Sequence, residues 1–390
     1  MYKTLMQNWL SLVIGCFAIF YFELSFAGGP FTNGASSRAQ SMQNAFVGIA
    51  DDASAVYYNP AGLAQLQRGE VMLSVFSVSP SIDYSVPGQI NVATSTKIGY
   101  GLSTFLAKPI SNGWVFGLGM YAPAARVTDF PASTSLGGTL QKANLLRIDI
   151  AGMVAKSWGP ISLGLGPVLS RGTYESSVLG FSEKGSGVGS SFQLGALAKL
   201  SDEFQLGLTY RSATTISLKG DGGIQGLITG SFEADQHYPA IAVVGVAFRP
   251  LGSNLTVAAD FEFQNWNRIR SFDRNYHVPA LDQIAKTQLN AKNSKVFRMG
   301  GAWKMNAQQE LRAGYSFTTA AIMSDRIIPA QPDFDIHALS IGYGHKFDLF
   351  EVNVGIERQK MKSVTKVVPP FPGEYKMGVT SFLLGLSFPF

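Results

Sequence analysis

Charge is scarce in this sequence. Asp, Glu, Lys and Arg make up 15% of its 390 residues, against a usual share near 25%. The basic residues form no run able to track a phosphate backbone, so a net charge of +5 does not point to nucleic acid. The one cysteine, Cys16, lies in a leader-like segment, and the rest of the chain has neither a disulfide framework nor thiol chemistry. After residue 27, no continuous apolar stretch reaches the roughly 18 residues of a spanning helix. The four histidines, His237, His277, His337 and His345, have no recognisable partner spacing. Phosphate loops, zinc spacings and nucleophile elbows are missing too. Asp260 and Glu262 share a face but define no cleft. We therefore expect no enzyme, no metal site and no cofactor.

What is plentiful is glycine, at 42 residues, and aromatic side chains, at 12%. The mean hydropathy of +0.12 is too low for a bundle of membrane helices. Low charge, many glycines and mild hydrophobicity suit a transmembrane β-barrel, in which only every second residue faces lipid.

The recurring period is two. Leu255, Val257, Ala259, Phe261 and Phe263 alternate with Thr256, Ala258, Asp260, Glu262 and Gln264. Leu311, Ala313, Tyr315 and Phe317 alternate with Arg312, Gly314 and Ser316. In a strand such sets face opposite sides. The pattern predicts fourteen strands, at 70–84, 95–108, 114–122, 144–156, 160–173, 191–200, 204–219, 238–249, 254–265, 294–305, 308–318, 336–347, 350–361 and 375–390. Connections after even-numbered strands are short, and those after odd-numbered strands are longer, above all 123–143 and 266–293. Short turns on one side and long loops on the other mark an outer-membrane barrel, with both termini on the periplasmic side. Arg147, Asp149, Arg211, Asp260, Glu262, Arg298, Arg312 and Glu357 fall on the polar side of their alternation. A charge facing lipid at mid-bilayer costs about 2–4 kcal/mol, so these side chains are expected to point inward.

Lys3, the apolar stretch from Trp9 to Phe22 and Ser25-Phe26-Ala27 read as the parts of a signal peptide spanning residues 1–27. Val13-Ile14-Gly15-Cys16 faintly resembles a lipoprotein cleavage box. Residues 28–69 precede the first clear strand and are small, polar and turn-rich. The Asn59-Pro60 step favours a turn, and Pro60 cannot donate to a ladder. Tethered at the barrel's end and unable to join the sheet, this segment is expected to fill the lumen of the barrel formed by residues 70–390.

Arg38-Ala39, then Gly48-Ile49-Ala50-Asp51-Asp52-Ala53, then Asn59-Pro60-Ala61 resemble the N-terminal hatch of the FadL/TodX family of outer-membrane transporters. The aromatic-ended last strand, closing on Phe390, is similar to the signal that barrel assembly machinery reads in outer-membrane proteins. The resemblance implies an all-β fold, a 14-stranded antiparallel barrel with a lumen plug, and uptake of long-chain fatty acids or aromatic hydrocarbons. It implies a hatch carried by Asp51, Asp52, Asn59, Pro60 and Ala61, and an elongated apolar cavity above it. It implies lateral release where the third strand is interrupted, matched here by Gly117 and Gly119. It implies basic pocket side chains, for which Arg171, Arg298 and Arg312 are the candidates. Alternation from Ile161, Leu163 and Leu165 turns Arg171 outward unless a bulge near Gly166-Pro167 restores it. The expected partners are the hydrophobic ligand, outer-membrane lipid, lipopolysaccharide and the assembly machinery. A general porin for small polar solutes, or an outer-membrane hydrolase, is the alternative.

Overall fold

The computed structural model describes residues 34–94, 98–224, 227–277 and 284–390. The predicted signal peptide, and residues 28–33 of the segment after it, lie outside the described residues. Fourteen antiparallel staves close on themselves. They are β1 (Glu70–Ser85), β2 (Gly99–Pro109), β3 (Trp114–Phe130), β4 (Gln141–Trp158), β5 (Ile161–Val178), β6 (Phe181–Lys199), β7 (Phe204–Arg211 with Thr214–Ile224), β8 (Ile228–Tyr238 with Ile241–Phe248), β9 (Leu255–Gln264 with Ser271–His277), β10 (Ile284–Gln288 with Ser294–Lys304), β11 (Gln309–Thr318), β12 (Ile336–Lys346), β13 (Glu351–Met361) and β14 (Gly373–Pro389). β1 and β14 pair from Glu70↔Pro389 to Ser85↔Glu374, which removes both sheet edges. Closure matters in lipid, where an unpaired backbone group has no water to turn to.

Each predicted strand lies within or overlaps one stave. The two stretches read as long loops shrink, because the ladder continues beyond the apolar band. β3 runs on to Phe130 and β4 starts at Gln141. The outer parts of β9 and β10 form a further paired ribbon, Ser271↔Gln288 to Asn275↔Ile284. Outside the membrane the outward residues meet water rather than lipid. The apolar alternation therefore fades although the hydrogen bonds persist.

Side-chain direction follows the alternation. Ile161, Leu163, Leu165 and Leu169 on β5, and Leu339 and Ile341 on β12, are exposed on the outer wall. Arg147, Asp149, Asp260, Glu262, Arg312 and Glu357 are buried inside it. Arg211 and Arg298, part-buried, also point inward: Arg211 reaches the N-terminal segment and Arg298 pairs with Glu262.

The barrel interior holds the N-terminal segment, built from α1 (Ser37–Gln40), α2 (Ala55–Tyr58) and a 3-10 turn at Pro60–Gln65. It touches the wall on nearly every side, and the wall meets it with glycine. A Cβ added at Gly117 would lie 2.6 Å from Val56 and 2.7 Å from Leu63. One at Gly195 would lie 2.8 Å from Pro60, one at Gly245 2.9 Å from Val47, and one at Gly300 2.7 Å from Met42. Gly164, Gly207, Gly314, Gly342, Gly355 and Gly385 face the same segment with equally little room. A part of the sequence's glycine is thus explained: a belt of bare backbone admits a folded segment where side chains would fill the lumen.

This close fit gives a direct test. Gly300→Val with Gly314→Val places two branched side chains against Met42 and Gln43, and overpacking of this kind costs about 1–3 kcal/mol per site. The expected result is a displaced N-terminal segment, seen as a higher ion conductance in planar bilayers and a lower thermal midpoint. Wild-type values for both would show that the segment is not held by the belt.

Candidate hydrophobic-ligand cavity and wall opening

The turn-rich Asn59-Pro60-Ala61 motif is the internal frame of the segment inside the barrel. Asn59 Oδ1 accepts from Ala61 N at 3.2 Å, which caps the 3-10 turn that Pro60 begins. Its Nδ2 donates to Val47 O and to Ala196 O, both at 3.0 Å, so one side chain joins turn, segment and wall. Arg38 Nη1 donates to Asp51 at 2.6 Å and to Asp52 at 2.9 Å. Asp52 in turn accepts from the Ser54 N–H at 2.9 Å. Burial pushes the Asp51 carboxyl up, but the Arg38 guanidinium outweighs it and holds the group below the usual range. At Asp52 burial prevails, and the carboxyl is held above that range despite Arg38. From the wall, Asp260 accepts the N–H groups of Phe46 at 2.9 Å and Val47 at 3.0 Å, so a buried carboxylate anchors two adjacent backbone donors.

Above this frame lies a cavity of about 160 Å³. Its floor is the N-terminal segment, including Gln40, Asn44 and Tyr58, and its roof is the loop after β11, with Ile322, Pro332, Asp333 and Phe334. The apolar wall comes from Ile241, Val243, Val296, Ile336, Ala338 and Val379. The polar wall is a relay. Arg298 pairs with Glu262 at 3.0 Å, Gln264 donates to Glu262 at 2.6 Å, and Trp266 Nε1 donates to Gln264 at 2.7 Å. Arg211 lies 4.0 Å over the Tyr57 ring and donates to the Tyr57 carbonyl. The lining is more apolar than polar, with the charged relay confined to one side.

Arg126 also lines this cavity. It is buried, and its Nε has no hydrogen-bond partner. Its position depends on a defect in β3. The β3–β4 register shifts between Tyr121 and Ala124, where β3 carries one extra residue at Ala122-Pro123. Before the shift, odd-numbered residues such as Val115 and Tyr121 face inward; after it, the inward residues are Ala124, Arg126, Thr128 and Phe130. Without the bulge Arg126 would face the outside.

The ladder on the other side of β3 ends beside the same bulge. The β2–β3 ladder runs from Pro109↔Val115 to Thr104↔Met120 and stops there. Beyond it, β2 still pairs with β1 from Ser103↔Ser74 to Gly99↔Val78, while among the described residues β3 pairs only with β4. From the outer half of β3, the inward Thr128 Oγ1 donates to Ala330 O of the roof loop at 2.5 Å and to Ala143 O of β4 at 3.0 Å. Asp333 fixes that loop by accepting from the N–H groups of Ala321 and Ile322, both at 2.8 Å. Burial pushes its carboxyl above the usual range in spite of these donors.

The sequence-derived site residues divide accordingly. Asp51, Asp52, Asn59, Pro60 and Ala61 are brought together, and Arg298 reaches the cavity. Gly117 and Gly119 do not mark the interruption: Gly117 is paired with both Ala107 and Met153, and both glycines are spaced for Val56 instead. Arg171 is on the outer wall, because the alternation of β5 runs unbroken through Gly166-Pro167. Arg312 lies near the short-turn end, hydrogen-bonded to Glu310 at 2.5 Å and to Asn353, away from the cavity. Arg126, Trp266 and Asp333 were missed because they fall in stretches that read as loops. Pro123 was the available signal, since a proline inside a strand marks a bulge or an edge.

The comparisons agree with this architecture. The profile of the family described as outer membrane protein transport protein (OMPP1/FadL/TodX) matches residues 24–370. A putative outer membrane protein of Neisseria meningitidis serogroup B is 28% identical over 358 residues, covering 74% of this chain and 76% of its own. Among solved structures, a Pseudomonas aeruginosa FadL homologue superimposes with a TM-score of 0.83 at 18% identity, over 93% of this chain and 99% of that one. The Pseudomonas putida toluene transporter TodX gives 0.74 at 16% identity, over 92% and 98%. The Ralstonia pickettii toluene transporter TbuX gives 0.72 at 14% identity, over 92% and 99%. With the closed fourteen-stave wall and a family profile spanning most of its length, the chain belongs to the OMPP1/FadL/TodX family of outer membrane transport proteins.

Proposed function

We propose that this protein takes up compact hydrophobic compounds and releases them sideways through its wall into the outer membrane. The carrying observation is the bulge at Ala122-Pro123, which ends the β2–β3 ladder and turns Arg126 into the cavity at one stroke. Residues 34–69 act as the hatch, closing the route straight through the barrel. An apolar compound then has reason to leave through the wall, since lipid solvates it better than a watery lumen does. Outer-membrane lipid and lipopolysaccharide surround the barrel in this reading, and Phe390 is the residue offered to the assembly machinery.

The cavity favours one size class. About 160 Å³ is close to the roughly 150 Å³ of an engineered apolar cavity that holds benzene. A single-ring compound or a short acyl chain fits it better than a long fatty acid. Arg126 has an unused donor there, so ligands bearing an acidic group gain a charge-assisted hydrogen bond.

Two experiments test the reading. In equilibrium dialysis with a radiolabelled single-ring carboxylate and its neutral hydrocarbon analogue, Arg126→Met should weaken the acid about tenfold to a hundredfold, the worth of a hydrogen bond to a charged group. The neutral ligand should bind as before, and an equal loss for both would sink the head-group role. Deleting Pro123 should restore the register of β3 and turn Arg126 toward the outside. Hydrophobic uptake into cells should then fall steeply while the protein still assembles with its heat-modifiable mobility. Undiminished uptake by an assembled deletion variant would exclude the wall route and favour a porin.

A further inference from the structure

A second feature of the wall lies where β9 and β10 are both interrupted. Between their inner and outer parts, β9 makes a 3-10 turn at Trp266–Arg268, and β10 breaks between Gln288 and Ser294. The two breaks face each other. Leu289 and Asn290 donate to Arg270 O at 2.8 and 3.0 Å, and Asn267 N donates to Asn293 Oδ1 at 3.0 Å. Trp266, Ile269 and Ala291 turn inward into one buried cluster with Ala321. The basic residues of the same segments are left outside: Arg268, Arg270, Lys292 and Lys295 are all exposed. No carboxylate of the described residues forms an ion pair with any of the four.

The position of this patch on the wall matters as much as its charge. Immediately on the membrane side of it are the outward rings of Phe261, Phe297 and Phe317, which pair across β9, β10 and β11, with Phe261 and Phe297 exposed. Lys295 itself lies opposite Phe263. The order from lipid outward is aliphatic side chains, an aromatic girdle, then cations. Interfacial aromatics mark head-group depth in such barrels, so the four cations stand at the outer leaflet's head groups.

We propose that Arg268, Arg270, Lys292 and Lys295 form a binding site for a phosphorylated glycolipid of the outer leaflet. Its phosphates lie against the cations and its acyl chains along the phenylalanine band. Continuity with the lipid-facing band selects a lipid over a free anion. The β9–β10 ladder is continuous from Leu255↔Trp303 to Gln264↔Ser294 and is interrupted only at this double break. A lipid bridging both segments from outside therefore supports the wall of the cavity that Trp266 lines.

Native mass spectrometry of the full chain in detergent tests this with a bisphosphorylated hexa-acyl diglucosamine lipid, its phosphate-free form and inorganic phosphate as probes. Wild type should retain the bisphosphorylated lipid and bind the phosphate-free form much less. Each of the double variants, Arg268→Gln with Arg270→Gln and Lys292→Gln with Lys295→Gln, should lose affinity by roughly fivefold per charge removed. Arg171→Gln, an exposed cation on a distant stave, should bind as wild type. Retention by both double variants, or equal binding of the phosphate-free lipid, would overturn the proposal. Displacement of the lipid by equimolar inorganic phosphate would also overturn it, in favour of a simple anion site. Hydrophobic uptake is measured separately and can fail or succeed without changing this result.

Discussion

Backbone hydrogen bonding in the absence of water governs this structure. A strand facing hydrocarbon must pair on both sides, because each unsatisfied group costs several kcal/mol. Fourteen staves therefore close through β1 and β14 with sixteen matched residues, from Glu70↔Pro389 to Ser85↔Glu374. The stopped ladder between β2 and β3 departs from that rule at the outer margin of the apolar band, where β3 passes Met120. It persists because the freed half of β3 is re-anchored: Thr128 bonds the roof loop, and Phe130 joins an apolar cluster with Phe334, Tyr84 and Tyr375. An interruption sustained by compensating contacts is the kind of defect that proteins keep where they use it.

The interior solves a different problem. A barrel of this size would hold water, yet the segment from residue 34 to residue 66 folds inside it. Bare backbone at the glycine belt gives it room, and buried charges orient it. Asp260 receives two adjacent N–H groups, and Arg38 gathers Asp51 and Asp52. These contacts are polar and specific. Removing one partner leaves the other buried without compensation, which is costlier than the pair's own net worth. Together they set the floor of the cavity.

The cavity's character follows from which elements reach it. The N-terminal segment, inner staves and roof loop each contribute, so no continuous stretch of sequence describes it. Its apolar part comes from β8, β10, β12 and β14, and its polar relay from β9 and β10. Arg126 arrives from β3 only by way of one inserted residue. The neighbouring break in β9 and β10 works similarly, sending Trp266 inward and four cations outward.

The sequence by itself determined the class of fold, the number of staves, the sidedness of the loops and the frame around Asn59-Pro60-Ala61. The physical reason is that these rest on local regularities: a period of two imposed by lipid on one face, and side chains that cap their own turn. Even the inward placement of Arg147, Asp260 and Glu357 follows from that period alone. What only the tertiary structure decided is everything that depends on a break in the period. One extra residue in β3 reverses the facing of all that follow it, so Arg126 could not be placed by counting, while the unbroken count in β5 leaves Arg171 outside. Gly117 and Gly119 looked like a weak point in a strand. Their meaning came from Val56, some sixty residues earlier in the chain, and a sequence does not display the distance between two segments that meet only once the barrel has closed around one of them.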